Sequence, residues 1–218
     1  MTTKKIPVIE RIMSANDEVA LENRSILDEH NIHAINIMAS PGAGKTSLIV
    51  STIEALKGRR RVAAIEGDLA STVDTEKVEA AGVPAVQINT GGACHLDANQ
   101  IHNALGVLPL DDVDLLFIEN VGNMVCPVGF ALGEHTRVAI SSVPEGDDKP
   151  HKYPTIFASV DVLVINKTDL LPHLPFDVAE FRRLARSLNT DIRIFEVSCT
   201  TGEGLDEWSE WLVQLTES

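Results

Sequence analysis

One run of residues, Ser40-Pro41-Gly42-Ala43-Gly44-Lys45-Thr46, has the types and spacing needed to hold a polyphosphate. Gly42 and Gly44 lack the Cβ atoms that would keep the backbone away from phosphate oxygens, so successive amides, including that of Ala43, can turn inward. Lys45 supplies a point charge for the β- and γ-phosphates, and the Thr46 hydroxyl is a direct ligand for the Mg²⁺ that accompanies nucleotide. Ser47 follows the motif as a further phosphate-side residue, where a helix start adds its positive end. The run departs from G-x-x-x-x-G-K-[ST] at its first position, which is Ala39; a strand end with ordinary φ and ψ tolerates that exchange.

Asn166-Lys167-Thr168-Asp169 carries the base specificity. A carboxylate at Asp169 can accept from guanine N1–H and N2–H₂, a donor pair that adenine lacks, while Asn166 braces the loop and the stem of Lys167 covers the base plane. Ser198-Cys199-Thr200-Thr201-Gly202 then offers backbone N–H groups to guanine O6, with Cys199 a small residue of that loop rather than a metal ligand. Two carboxylates fall at strand ends. Asp68 is a candidate for holding a Mg²⁺-bound water or orienting the attacking one, with Glu66 beside it as a helix-flanking charge. Glu119 reaches the Mg²⁺ shell through water, and the nearby Gly122 N–H senses the γ-phosphate. Lys45, Asp68 and Glu119 are thus the expected catalytic set. Cys94 and His95 sit side by side after Gly91-Gly92; thiolate and imidazole suit late first-row divalent ions, although a cysteine is often simply buried.

These groups need strands to deliver them and helices to cover the strands. Alternating Ile35, Ile37 and Ala39 predict the first strand, and an apolar helical pattern opens at Leu48. Further strands are expected over residues 61–68, 83–89, 113–119, 137–143, 160–165 and 192–197. Helices are expected over 8–29, 71–81, from about 97 to 105, 177–188 and 204–215, with 144–150 a polar loop. The first helix has one apolar stripe, interrupted by Asn16 and Asn23, and should pack across the domain. Trp208, Trp211, Leu212 and Leu215 form a core-packing stripe on the last. The fold class is α/β, a P-loop NTPase with a mainly parallel sheet flanked by helices on both faces. Residues 1–33 read as a helical extension and 34–218 as the nucleotide domain with its metal site.

The chain has 218 residues, 44% hydrophobic, with two Trp, one Tyr and six Phe, enough for one mostly aliphatic core. Its net charge of −14 opposes broad attraction to nucleic acid or an anionic membrane. No apolar run approaches a membrane span and the first residues lack a continuous apolar signal core, so a cytoplasmic location is expected. Three scattered cysteines do not form a disulfide framework.

Taken together, SPGAGKTS, IEGD, TGGACHLD, ENVGNMVCP, NKTDLL and SCTTG resemble the hydrogenase nickel-incorporation GTPases, the HypB family. The resemblance covers almost all of residues 34–205. It implies a cytoplasmic GTPase that binds GTP or GDP with Mg²⁺, dimerises through its nucleotide face under GTP, and helps deliver Ni²⁺ to the [NiFe] hydrogenase large subunit. The family's metal ligands, for Ni²⁺ or Zn²⁺, fall on Cys94, His95 and Cys126. A small nickel-binding maturation protein of the HypA type is the implied partner, with neither nucleic acid nor membrane involved. Some relatives carry an amino-terminal cysteine motif or a histidine-rich run; no Cys or His precedes His30 here, so metal handling is expected to rest on the nucleotide domain. The urease branch uses Cys-Pro-His, whereas Val128 follows Cys126-Pro127 here.

No glutamine stands beside Gly122 to orient water and no arginine finger is evident, so slow intrinsic turnover is expected. Two rival readings remain in the sequence. One is a regulatory or scaffold GTPase with a structural Zn²⁺ site; the other is an ATP-dependent small-molecule kinase, which the Asn166–Asp169 tetrad opposes.

Overall fold

The computed structural model describes residues 8–68, 78 and 80–217, with the side chains of 8–12, 14 and 68 outside it. Seven strands form one sheet: β1 (His33–Ala39), β2 (Val62–Asp68), β3 (Ala85–Asn89), β4 (Leu115–Glu119), β5 (Thr136–Ser142), β6 (Val162–Asn166) and β7 (Arg193–Val197). Their order is β3-β2-β4-β1-β5-β6-β7, and every pair is parallel. β4 and β6 are buried at every position, as a sheet covered on both faces requires, while the edge strand β3 is half-exposed.

Because strand side chains alternate, neighbouring residues feed opposite layers. Ile35, Ile37, Phe117, Val138 and Val164 point to one face, where α2 (Lys45–Leu56) and the last helix, Leu205–Leu215, cover them. Ala34, Ala63, Ile65, Leu116 and Ile118 point to the other, beneath α1 (Val8–Glu29) and α3 (Ala98–Leu105). Met38, Ala139, Leu163 and Ile165 meet Phe157 and Phe181 on that second face, farther along the sheet. The expected core role of the final helix holds: Trp208 is fully buried and its indole N–H donates to Thr52 Oγ1 at 2.8 Å. No helix among the described residues is long and apolar enough to cross a membrane.

The chain lays β2, β3 and β4 on one side of β1, then crosses over to build β5, β6 and β7 on the other. That reversal opens a crevice at the carboxyl end of β1, which is where an open parallel sheet binds its ligand. Several expected strands begin one or two residues late. Ahead of β4, Leu110–Asp112 form a 3₁₀ turn, and the Asp114 carboxylate accepts from Arg61 N at 2.7 Å. The expected polar loop at 144–150 is instead partly helical. Ser142 and Glu145 make a capping box around Pro144, giving a 3₁₀ turn at Val143–Glu145, and a short helix follows at Lys149–Lys152. The helix expected over 71–81 falls largely outside the described residues.

At the opposite end of the sheet, His33 Nε2 lies 2.8 Å from Thr136 Oγ1, and its ring centroid is 4.9 Å from that of His135. Burial, then the charges of His135 and Arg24, push the His33 pKa down from 6.5 to about 4. The unfolded chain therefore takes up a proton below 6.5 that the fold refuses until about 4, so this contribution to stability is complete above the window and lost as pH falls through it. His135, also held down chiefly by burial, acts in the same direction. The urea midpoint should fall between pH 7 and pH 5, and His33→Gln should flatten part of that fall; an unchanged slope would remove His33 from the account.

Candidate nucleotide and metal site

The turn between β1 and α2 is the loop with the phosphate-binding pattern. Ala39 ends β1 without positive φ, whereas Gly42 and Gly44 lie at φ 76° and 100°. A side chain at Gly44 would also collide with Asn166, since its Cβ would stand 2.4 Å from Asn166 Nδ2. That amide donates to Ala43 O at 2.9 Å, and Asn166 Oδ1 accepts from Lys167 N at 2.8 Å. Lys167, in the left-handed region at φ 62°, reaches back to donate to Gly42 O at 2.7 Å. The loop after β6 is thereby fastened directly to the glycine loop. On its far side, Ser198 Oγ donates to Asp169 Oδ1 at 2.6 Å and accepts from Thr201 N at 3.1 Å, so the loop after β7 holds the carboxylate. Cys199 Sγ stands 3.7 Å from Asn166 Oδ1, and burial pushes its thiol up. Ser47 is exposed on the first turn of α2.

Lys45 and Thr46, both 9% exposed, begin α2 and face the end of β4. Thr46 Oγ1 donates to Glu119 Oε1 at 3.0 Å, and Lys45 Nζ is 3.6 Å from the same oxygen. Glu119 Oε2 is buried without a hydrogen-bond partner. A hydroxyl, a carboxylate oxygen in need of a partner and a nearby polyphosphate-type loop make a hard, oxygen-rich donor set that fits Mg²⁺. Gly122 packs against the same loop, for a Cβ there would lie 2.9 Å from Pro41 Cγ. Glu66 stands in register with Glu119 on the adjacent strand. Asp68 ends β2, but its side chain is outside the described residues.

Cys94, His95 and Cys126 converge: one donor atom from each lies within 4.8 Å of the others. Cys94 Sγ is 3.5 Å from His95 Nδ1, and the His95 ring stacks on Phe130 with centroids 3.9 Å apart. Burial pushes His95 below its ordinary pKa against the weaker pull of Asp97, so the ring is neutral and able to ligate at neutral pH. The Cys126 thiol beside it, and burial, push Cys94 up. Two thiols and an imidazole make a borderline-soft donor set with room for a further ligand. Cys94 itself is exposed.

Three side chains that sequence reasoning passed over tie these parts together. Asn123 donates to Cys94 O at 3.2 Å while its Oδ1 accepts from Val125 N at 2.8 Å and Cys126 N at 3.4 Å. Asn120 Oδ1 accepts from Leu96 N at 3.1 Å and its amide donates to Asn36 Oδ1 at 3.2 Å, in the middle of the sheet. Lys149 Nζ donates to Ser40 Oγ at 3.1 Å and pairs with Glu145 Oε1 at 3.0 Å. Burial would raise Glu145, but bonds from Ser142, Lys149 and Ser40 outweigh it and hold the carboxyl low. The asparagines adjoin motifs in sequence, yet each also reaches a distant backbone group, Leu96 N for Asn120 and Cys94 O for Asn123. Lys149 had no local signal at all. His102 Nδ1 lies 3.0 Å from Asn23 Oδ1, and the metal cluster does not include it.

The profile of the family described as "CobW/HypB/UreG, nucleotide-binding domain" matches residues 33–196. The hydrogenase maturation factor HypB of Azotobacter vinelandii is 50% identical over 212 residues, spanning 96% of this chain and 69% of that protein. The crystal structure of HypB from Archaeoglobus fulgidus superposes with a TM-score of 0.87 at 42% identity, covering 93% of this chain and 99% of the other. HypB from Helicobacter pylori, solved in complex with nickel, gives a TM-score of 0.89 at 34% identity over 93% of this chain and 95% of its own.

Gly44→Ala should lower stability by about 1–3 kcal/mol, through backbone strain at positive φ and the clash with the Asn166 amide. Since Asn166→Ala removes the other half of that clash, the double variant should lose less than the sum of the two singles in denaturant titrations. Full additivity would mean that the loops are not in the contact described.

Proposed function

This chain belongs to the CobW/HypB/UreG nucleotide-binding family, and within it to the HypB hydrogenase maturation factors; from that premise we propose that it hydrolyses GTP to switch its hold on a Ni²⁺ ion destined for the large subunit of a [NiFe] hydrogenase. The observation that carries the reading is the shortness of the path between two chemistries. Glu119 bonds the Thr46 hydroxyl, Gly122 packs on Pro41, and Cys126, in the same stretch, joins Cys94 and His95.

Gly42, Ala43, Gly44 and Ser47 frame the phosphates, and Lys45 places a buried positive charge against the transferring phosphoryl oxygens as the bond to the leaving oxygen lengthens. Mg²⁺, when bound with nucleotide, neutralises charge across the phosphate oxygens, and Thr46 with Glu119 and Asp68 would hold it. Glu119 keeps the Lys45 ammonium and the Thr46 hydroxyl oriented toward the crevice. Asp169 receives the guanine N1–H and N2–H₂, Asn166 and Lys167 fix that carboxylate's loop to the phosphate loop, and the Ser198–Cys199 amides face O6. With no glutamine beside Gly122 to orient the attacking water, turnover is slow, which suits a timer more than a metabolic enzyme.

Ni²⁺ or Zn²⁺ is cargo here. Cys94 and Cys126 bind it as thiolates and His95 as a neutral imidazole. The Gly122 N–H follows the γ-phosphate, so its departure releases the 119–126 segment and shifts Cys126 relative to the other two donors. Coupling of this kind is reciprocal: whatever factor GTP applies to metal affinity, metal applies to GTP affinity. Three donors leave the ion open, and a second copy of this chain, brought in by GTP across the nucleotide face, completes the coordination. A small nickel-binding maturation protein exchanges the ion at the exposed Cys94 side.

Three measurements test the reading. Ni²⁺ and Zn²⁺ affinity, with oligomeric state, should differ between GDP and a non-hydrolysable GTP analogue, and Cys126→Ala should abolish that difference while leaving GTP affinity within about 2-fold; equal affinities in both nucleotide states of the parent chain would sink the switch. Asp169→Ala should erase most of the preference for GTP over ATP, weakening GTP by about 100-fold or more through the loss of two charge-assisted hydrogen bonds. Because Cys94 holds its proton more tightly than a free thiol, metal binding displaces protons, and affinity should rise about 10-fold per pH unit for each proton released. A flat profile across neutral pH would exclude thiolate ligation.

A further inference from the structure

The two loops that carry the metal donors are joined a second time, away from the donors, by α1. Asn16 and Asn23 lie two helical turns apart on one face of that helix and are 5% and 0% exposed. Each uses its amide to bridge the same two segments. Asn16 Oδ1 accepts from Ala98 N at 2.9 Å, while its Nδ2 donates to Ala131 O at 2.8 Å. Asn23 Nδ2 donates to Ala98 O at 2.8 Å and to Leu132 O at 3.0 Å. Ala98 is therefore gripped at both its N–H and its C=O. It opens α3 just after His95 and the Asp97 cap, and the 131–132 stretch closely follows Cys126.

Apolar packing alone would dock α1 without any of this. Leu27 and Ala20 already supply buried apolar contacts, and apolar residues at 16 and 23 would extend the stripe. Buried amides cost desolvation unless each is matched, so four bonds converging on two loops specify their relative position in a way that apolar contact does not. Close approach is built in as well. Gly133, at φ 101°, has no Cβ, and one there would stand 2.7 Å from Asn23 Cβ and 2.9 Å from Ala20 O. Arg24 extends the seam by donating through Nε to Gly133 O at 2.8 Å.

We propose that α1 is part of the metal site, and that Asn16 and Asn23 are positioning residues that hold the Cys94–His95 loop and the Cys126 segment at ligating distance. This rests on the reading of Cys94, His95 and Cys126 as metal ligands. Neither asparagine touches the ion. They act by fixing the backbone from which its donors project, as residues behind a metal's direct ligands do, and loss of such support costs about 10- to 100-fold in affinity.

The test compares the full chain with Asn16→Ala, Asn16→Asp and Cys126→Ala, measuring Ni²⁺ and Zn²⁺ affinity, GTP affinity and thermal unfolding in the metal-free protein. Asn16→Ala should weaken metal binding by about 10-fold or more with GTP affinity unchanged, because the glycine loop is not in the clamp. Asn16→Asp keeps the acceptor for Ala98 N and loses the donor to Ala131 O, so it should recover part of the loss. Metal affinity unchanged in Asn16→Ala, with Cys126→Ala strongly weakened, would overturn the positioning role and leave the ligand assignment standing. Cys126→Ala with full metal affinity would overturn the ligand assignment itself. A parallel fall in metal affinity, GTP affinity and melting temperature would mark the asparagine as general support for the fold, and would also overturn the proposal.

Discussion

A missing methyl-sized volume at Gly44 sets the geometry of everything at the carboxyl edge of the sheet. The Asn166 amide occupies that volume and binds Ala43 O, so the loop after β6 and the glycine loop share one wall. Lys167 adds a second fastening to Gly42 O, and Ser198 then positions Asp169 against the same assembly. The glycine loop, the loop after β6 and the loop after β7 are consequently fastened to one another. Neither loop can shift alone without breaking the bond to the buried Ala43, whose carbonyl would then lose its Asn166 partner.

The other half of the site is linked differently. From Glu119 onward the chain leaves the sheet, touches Pro41 at Gly122, and reaches Cys126 through a turn organised by Asn123. Asn120 connects this segment inward to Asn36, and Asn36 donates onward to Glu134, which also pairs with Arg137. Such a buried polar line through the centre of an aliphatic sheet is stable only when every member is matched.

Contiguity decided what the sequence revealed. Gly42 to Thr46 and Asn166 to Asp169 each put several chemical requirements into consecutive residues, and the strands that deliver them were legible too, β1 from the alternation of Ile35, Ile37 and Ala39 and β6 from a continuous apolar run. Cys94 and His95 were visible as a pair, but Cys126 joined them only through resemblance, because the convergence of 94–95 and 126 is made by the fold. Asn16 and Asn23 looked like flaws in an apolar stripe. Their purpose lies in carbonyls and amides of residues 98, 131 and 132, which carry no side-chain signature. Lys149 was hidden for a related reason, since its short helix arises from a capping box in a segment that reads as loop.

The strand order also constrains how the protein comes into being on the ribosome. β1 pairs only with β4 and β5, so the strand that ends in the glycine loop has no partner when it is synthesised. It must wait until Leu115–Glu119 has been made, while β2 and β3 can pair with each other in the interval. Nascent chains halted before residue 115 therefore carry an exposed, strongly apolar β1 edge, the kind of surface that chaperones bind and that aggregates form on. The central position that makes β1 the pivot of the finished site makes it the vulnerable element of the unfinished one.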